Sequence, residues 1–347
     1  MAGVAPQPDA VYPGGVVAVD ACFERTGRAA VHLVLQAGRA ALVDCGTVHS
    51  IPNVLAGLAR AGVEASAVDW LVITHVHLDH AGGAGPLLHH LPNATVLVHP
   101  RGLRHMAAPG RLFAAAAAVY GAETVQAEYG DPTPIPLARL REAVDGEAVY
   151  LAGTRPLTPL FTDGHARHHL ALADPVSGGV FAGDTFGISF RELDGRQHPR
   201  PAAGSSSVSS ASGGGTSGGG SCCCIYPATA PADFDPPALH RSIDRVAAAA
   251  TKCVYLTHYG RLGAVEQHAA QLHVMVDRFV GAAMAAAEVE PRGLALREVV
   301  RGIVVEGVRR AGCTLGVEAI HEVVGADVEI NAQGLDVWLE KKKVARL

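Results

Sequence analysis

The chain has 347 residues, of which 49% are hydrophobic and only 18% charged, with a net charge of −5. That is enough apolar material for one large core with an appendage, and the mild acidity argues against nucleic acid as a partner, since Lys341, Lys342 and Lys343 form the only basic run and read as a solvated helix end. No apolar stretch is long enough to span a bilayer, residues 1–13 lack the basic and apolar regions of a secretory leader, and seven cysteines without paired spacing suit a reducing, cytoplasmic setting.

Residues 16–22 and 30–36 read as two apolar strands joined by a polar turn, and 40–44 as a third, ending in Asp44-Cys45-Gly46. Residues 52–61 are helical, with Pro52 near the start. The stretch 71–83, Leu-Val-Ile-Thr-His-Val-His-Leu-Asp-His-Ala-Gly-Gly, begins as a buried strand and breaks into a loop carrying His75, His77, Asp79 and His80. Three imidazoles and a carboxylate within six positions are a ligand set for a divalent metal. The spacing turns His75 and His77 one way and Asp79 and His80 another, so one loop can feed two ions.

A short helix at 86–91 carries His89 and His90, which lie outside any motif and read as surface residues. A strand at 95–99 and a helix at 112–120 follow, with His99 and His105 as structural or pocket-wall residues. Next come a proline-punctuated loop at 131–136 and the segment 157–169, which contains Thr162-Asp163-Gly164-His165 and then His168 and His169. Residues 180–186 form a strand running into Gly183-Asp184-Thr185, where a carboxylate can reach two cations through its two oxygens. Residues 201–221 are Ser/Gly-rich and cannot bury enough apolar area to offset their ordering entropy, so 201–224, with its triple-cysteine tail, is expected to be a flexible insertion. Residues 235–250 read as a capped helix and 254–260 as a strand ending in Thr257-His258. Three helical stretches follow, at 265–287, 293–310 and from 317 onward, the last interrupted at Gly325, Gly334 and 328–330.

The His-x-His-x-Asp-His segment at 75–80 resembles the signature of the metallo-β-lactamase fold superfamily, and the segments around Asp44, His165, Asp184 and His258 occur in that family's order. The resemblance implies an α/β fold, a four-layer αββα sandwich over 1–263, with a helical C-terminal extension over 264–347. It implies that His75, His77 and His165 bind one metal, that Asp79, His80 and His258 bind a second, and that Asp184 lies between them. Asp44 and His169 would support those ligands, although His168 stands where the family prefers glycine and leaves open which of the two histidines does so.

The implied cofactors are two divalent ions, zinc first, with iron or manganese served by the same ligand types. The implied function is a hydrolase using a metal-bound hydroxide on an ester, thioester, lactone or related bond of a small molecule, with Asp79 orienting the attack. Two alternatives share the motifs: an iron persulfide dioxygenase-like oxidoreductase and a non-catalytic metal-binding protein. The C-terminal helices are candidates for a lid over the substrate or for a homo-oligomer interface.

Overall fold

The computed structural model describes residues 9–195, 223–229, 231 and 233–344. Strands β1 (Ala10–Tyr12), β2 (Val16–Asp20), β3 (Ala30–Gln36), β4 (Arg39–Val43), β5 (Val68–Ile73), β6 (Thr95–Val98) and β7 (Leu140–Glu142) form a seven-stranded sheet in sequence order. It is antiparallel from β1 to β4 and parallel from β4 to β7. A six-stranded sheet runs β13 (Gly260–Leu262), β12 (Cys253–Leu256), β11 (Gly179–Phe181), β10 (Leu170–Asp174), β9 (Arg155–Phe161), β8 (Val149–Leu151).

Side-chain alternation along the strands sorts the core into layers. Val31 and Leu33 of β3 and Leu71 and Ile73 of β5 face Val54 and Leu58 of helix α1 (Ile51–Arg60) and Leu87 of α3 (Ala84–Leu88). Val34 and Val72, on the opposite face, meet Leu157, Leu172, Phe181 and Tyr255 of the second sheet. Beyond that sheet, Val180, Val254 and Leu256 pack on α7 (Pro236–Ala249), α8 (Val265–Ala285), α9 (Arg292–Arg310) and α10 (Val317–Val344). The result is helix, sheet, sheet, helix. From Leu71 onward β5 is covered on both sides, which is why Leu71 to Ile73 is a continuous apolar run; each fully buried Leu or Ile in it stabilises by about 1.5–3 kcal/mol.

Two expectations are corrected. The last helix is not interrupted: α10 runs unbroken over 28 residues through Gly325 and Gly334. Its buried face, Ile320, Val324, Val328 and Leu335, sits in the same hydrophobic cluster as the second sheet, and that burial outweighs the ~1 kcal/mol that each helical glycine costs. The expected flexible insertion lies outside the described residues up to 222, but Cys223 and Cys224 are 2% and 5% exposed and belong to that cluster rather than to a loose tail. Polar composition predicts looseness only as far as it extends, and cysteine is a small, readily buried residue.

At the carboxyl ends of β5, β9, β11 and β12 the chain leaves the two sheets, and the loops carrying the candidate ligands emerge there.

Candidate metal centre

The loop after β5 is shaped by Asp44, which follows β4 with a left-handed backbone, φ +59°. Its buried carboxylate accepts from Thr74 N–H at 2.9 Å, Thr74 Oγ1 at 2.9 Å, Thr257 Oγ1 at 3.0 Å and His80 Nδ1 at 2.8 Å. These bonds fix two imidazoles. His80 donates its Nδ1 hydrogen to Asp44, so its Nε2 lone pair turns into the site. Thr74 spends its one hydroxyl hydrogen on Asp44 and accepts from His75 Nδ1 at 3.1 Å, which turns His75 Nε2 inward as well.

The other rings are set by backbone carbonyls. His165 Nδ1 lies 2.8 Å from Ala228 O and His258 Nδ1 lies 2.8 Å from Arg28 O. An imidazole whose Nδ1–H is engaged by an acceptor presents Nε2 as a lone pair, as metal-ligating histidines do. His165 is placed by Gly164, whose φ of +123° and approach to α7 leave no room for a side chain: a Cβ there would lie 2.3 Å from Leu239 N.

The convergent atoms form three overlapping triads: His75, His77 and His165; His75, His80 and Asp184; Asp79, His80 and His258, with all ligand atoms of each triad within 4.8 Å. His77 Nδ1 is 2.9 Å from His75 Nε2 and 3.1 Å from His165 Nε2, spacings close to those of nitrogens sharing one ion at about 2.0–2.1 Å. Asp184 lies between the triads. Its Oδ2 is 3.4 Å from His165 Nε2 and 3.9 Å from His75 Nε2, while its Oδ1 is 3.2 Å from His80 Nε2 and 3.6 Å from His258 Nε2. Asp79 Oδ2 is 3.5 Å from His80 Nε2 and 3.4 Å from His258 Nε2.

His80 Nε2 and Asp184 Oδ1 are buried without a hydrogen-bond partner. Buried polar atoms are rarely left unsatisfied. A lone pair and a carboxylate oxygen, both orphaned and 3.2 Å apart, fit a divalent cation, so the residues present suit the metals implied by the sequence.

Electrostatics separates the two halves of the site. Burial, reinforced by neighbouring imidazoles, pushes His75 and His77 well below the usual histidine value, so they are neutral, as ligands must be. Burial acts against a His80 cation, but Asp184, Asp79 and Asp44 outweigh it and hold this imidazole well above the usual value. Asp184 and Asp79, whose burial alone would raise them, are held low by His80 and His258 among others. In this half a metal ion would take the place of the His80 proton as counter-charge to the two carboxylates.

His169 is fully buried outside the triads, its Nδ1 2.8 Å from Thr162 Oγ1 and its Nε2 accepting from Asp184 N–H at 3.1 Å. Gly183 makes this contact sterically possible, since a Cβ there would lie 2.5 Å from His169 Nε2. His168 instead lines the cavity in front of the triads. His89 and His90 are exposed at the end of α3, and His99 caps α4 (Pro100–Ala107) by accepting from Arg101 N–H.

Sequence reasoning missed several cavity residues: Glu24, Arg28, Asp327 and Asn331. One signal was present. Asp327 and Asn331 stand four apart on the face of α10 that also carries Val324, Val328 and Leu335, all buried, and polar residues within an apolar helical stripe mark something other than core.

A family model described as the metallo-beta-lactamase superfamily matches residues 26–258. A solved structure of an archaeal metallo-beta-lactamase superfamily protein from Sulfolobus tokodaii is 20% identical, with TM-score 0.54, over 85% of this chain and 98% of its own. A metallo-beta-lactamase family protein from Thermus thermophilus is also 20% identical, with TM-score 0.54, over 90% of this chain and 94% of its own. At this identity the two structures speak for the fold alone. No curated protein matches the sequence. With more than half of its length under that family model, the chain belongs to the metallo-β-lactamase superfamily.

Proposed function

We propose that the chain is a dinuclear metallo-hydrolase that cleaves an ester, thioester, lactone or related bond of a small molecule. The observation that carries this reading is Asp184, whose two carboxylate oxygens face two different histidine clusters at the edge of one cavity. His75, His77 and His165 would hold one ion and Asp79, His80 and His258 the other, with Asp184 shared. Zinc is the first choice for this nitrogen and oxygen set, and iron or manganese accept the same ligands.

Bound there, the ions supply a Lewis acid for the substrate's carbonyl or phosphoryl oxygen and bring water ionisation towards neutral pH. The chain's own residues do the rest. Asp79 lies on the cavity wall with its side chain 22% exposed, so its carboxylate accepts a hydrogen bond from the attacking water and orients it. Asp44 and His169 hold ligands in place without reaching substrate. No serine or cysteine nucleophile is required. The same reading treats 1–263 as the catalytic unit, takes 264–347 as a helical extension that supplies one wall of the cavity, and assigns the protein to the cytoplasm.

The test is elemental analysis followed by a panel of ester, thioester, lactone, β-lactam and phosphodiester substrates, run beside an oxygen electrode with a persulfide. About two ions per chain and anaerobic cleavage of an ester-type bond are expected. Asp79→Ala should lower turnover by about 10²–10⁴-fold, as loss of a positioned proton-handling group does, while the exposed His89→Ala should not. Oxygen uptake without bond cleavage would replace the hydrolase by an oxidoreductase, and failure to take up any metal would remove the reading altogether.

A further inference from the structure

The cavity in front of the ligand triads has a volume of about 400 Å³. One wall belongs to α5 (Gly110–Tyr120) and α6 (Ala122–Tyr129), which contribute Leu112, Val119, Tyr120 and Tyr129. Phe23 and, from α10, Ile330 add further apolar surface. Away from the candidate ligands, the charged groups lining it among the described residues are Glu24, Glu128, Asp233, Asp327 and one cation, Arg28.

Arg28 is already engaged. Its side chain is 5% exposed, with Nε 2.8 Å from Glu24 and Nη2 3.1 Å from Asp327. Tyr226 donates to the other oxygen of Asp327 at 3.2 Å. Arg167, which approaches from outside the lining, faces Asp233 at 3.5 Å. Recognition of a carboxylate, sulfonate or phosphate away from the reacting bond calls for a cation with free donors, most effectively a forked guanidinium. In this cavity the charge of the one guanidinium is offset by two carboxylates, and a remote anion would also meet the half-exposed Glu128 along the apolar walls.

We infer that the site takes an uncharged, largely apolar acyl chain and excludes substrates with an anionic group distant from the bond that is cut. The cleavage step rests on the hydrolase reading above; the preference for a neutral chain is a property of binding and can be measured without it.

The experiment uses the full-length chain reconstituted with zinc and three medium-chain esters of one alcohol. The far end of the chain is methyl, sulfonate or trimethylammonium; sulfonate supplies the negative charge because it is a weak metal ligand. The same three chains are made as ketones, with a methylene in place of the ester oxygen, and their binding is read by thermal shift. The neutral ester should exceed the sulfonate in kcat/KM by about tenfold or more, the scale of a misplaced like charge, with the ketones ranked the same way. Glu128→Gln should narrow that gap, and Glu128→Lys, which adds an unpaired cation at a half-exposed position, should narrow it further. Ketones ranked as expected with no ester cleaved would overturn the hydrolase reading and keep the pocket inference. Esters cleaved with the sulfonate equal or preferred would overturn the pocket inference and keep the hydrolase. Ketones that fail to bind would overturn it as well.

Discussion

Asp44→Asn is the substitution that best probes how the site is built. Asparagine keeps the size of the side chain and tolerates the left-handed backbone found here, φ +59°, so neither cavity nor strain enters the comparison. The native carboxylate accepts from four donors: Thr74 N–H, Thr74 Oγ1, Thr257 Oγ1 and His80 Nδ1. Asparagine offers one acceptor oxygen, and its amide nitrogen must face either the Thr74 side or the His80 side with donor against donor. Losing a charge-assisted bond costs about 1.5–3 kcal/mol, and a stranded buried donor adds about 1–3 kcal/mol, so the metal-free protein should lose roughly 3–5 kcal/mol of stability. If the amide faces His80, that ring flips tautomer and withdraws its Nε2 lone pair; if it faces Thr74, the threonine no longer fixes His75. Either way, affinity for at least one ion should fall by about 10–100-fold. Denaturant unfolding of chelator-treated protein measures the first quantity and a competitive metal titration the second. A variant with the wild-type unfolding midpoint and two ions bound at wild-type affinity would refute the argument and leave Asp44 as an ordinary turn residue.

Three other outcomes are expected. Arg155 and Asp174 form an ion pair with side chains 1% and 0% exposed, so Arg155→Met should destabilise by about 3–5 kcal/mol by stranding a buried carboxylate, and adding Asp174→Leu should recover much of the loss; equal unfolding midpoints for Arg155→Met and wild type would show the pair to be idle. Burial in the layer between the sheets lowers His32 to about 4, so the unfolded chain takes the proton first: His32's neutral form costs nothing above pH ~6.5, and stability is lost as pH falls from there towards 4, by up to about 3 kcal/mol. His32→Leu should flatten that limb in a pH series of urea unfolding curves, and an unchanged acid limb would refute it. Deleting residues 201–221, which are Ser/Gly-rich with Val208 the one large aliphatic side chain, should leave the melting temperature and metal content nearly unchanged; a loss of many degrees would show that the segment packs.

What could be read in advance from the sequence was local. The run Leu71 to Ile73 followed by His75, His77, Asp79 and His80 sets strand, loop and donor atoms within thirteen residues of chain at 71–83, and a strand end that must break into a loop predicts where those donors gather. His165, Asp184 and His258 each follow a strand or its loop in the same way, so their convergence at one edge follows from how the two sheets stack. What stayed hidden depends on distance. Arg28 and Asp327 stand 299 residues apart, and nothing near either one specifies the other. By local propensity alone Gly325 and Gly334 read as helix breaks; the burial of Val324, Val328 and Leu335 against the second sheet's cluster decides otherwise. The same long-range closure puts Asp327 and Asn331 beside the candidate ligands. The candidate ligand atoms could therefore be read from the first 260 residues, whereas the charge character of the cavity in front of them depends on a helix that begins at Val317 and on the arginine it pairs with near the other end of the chain.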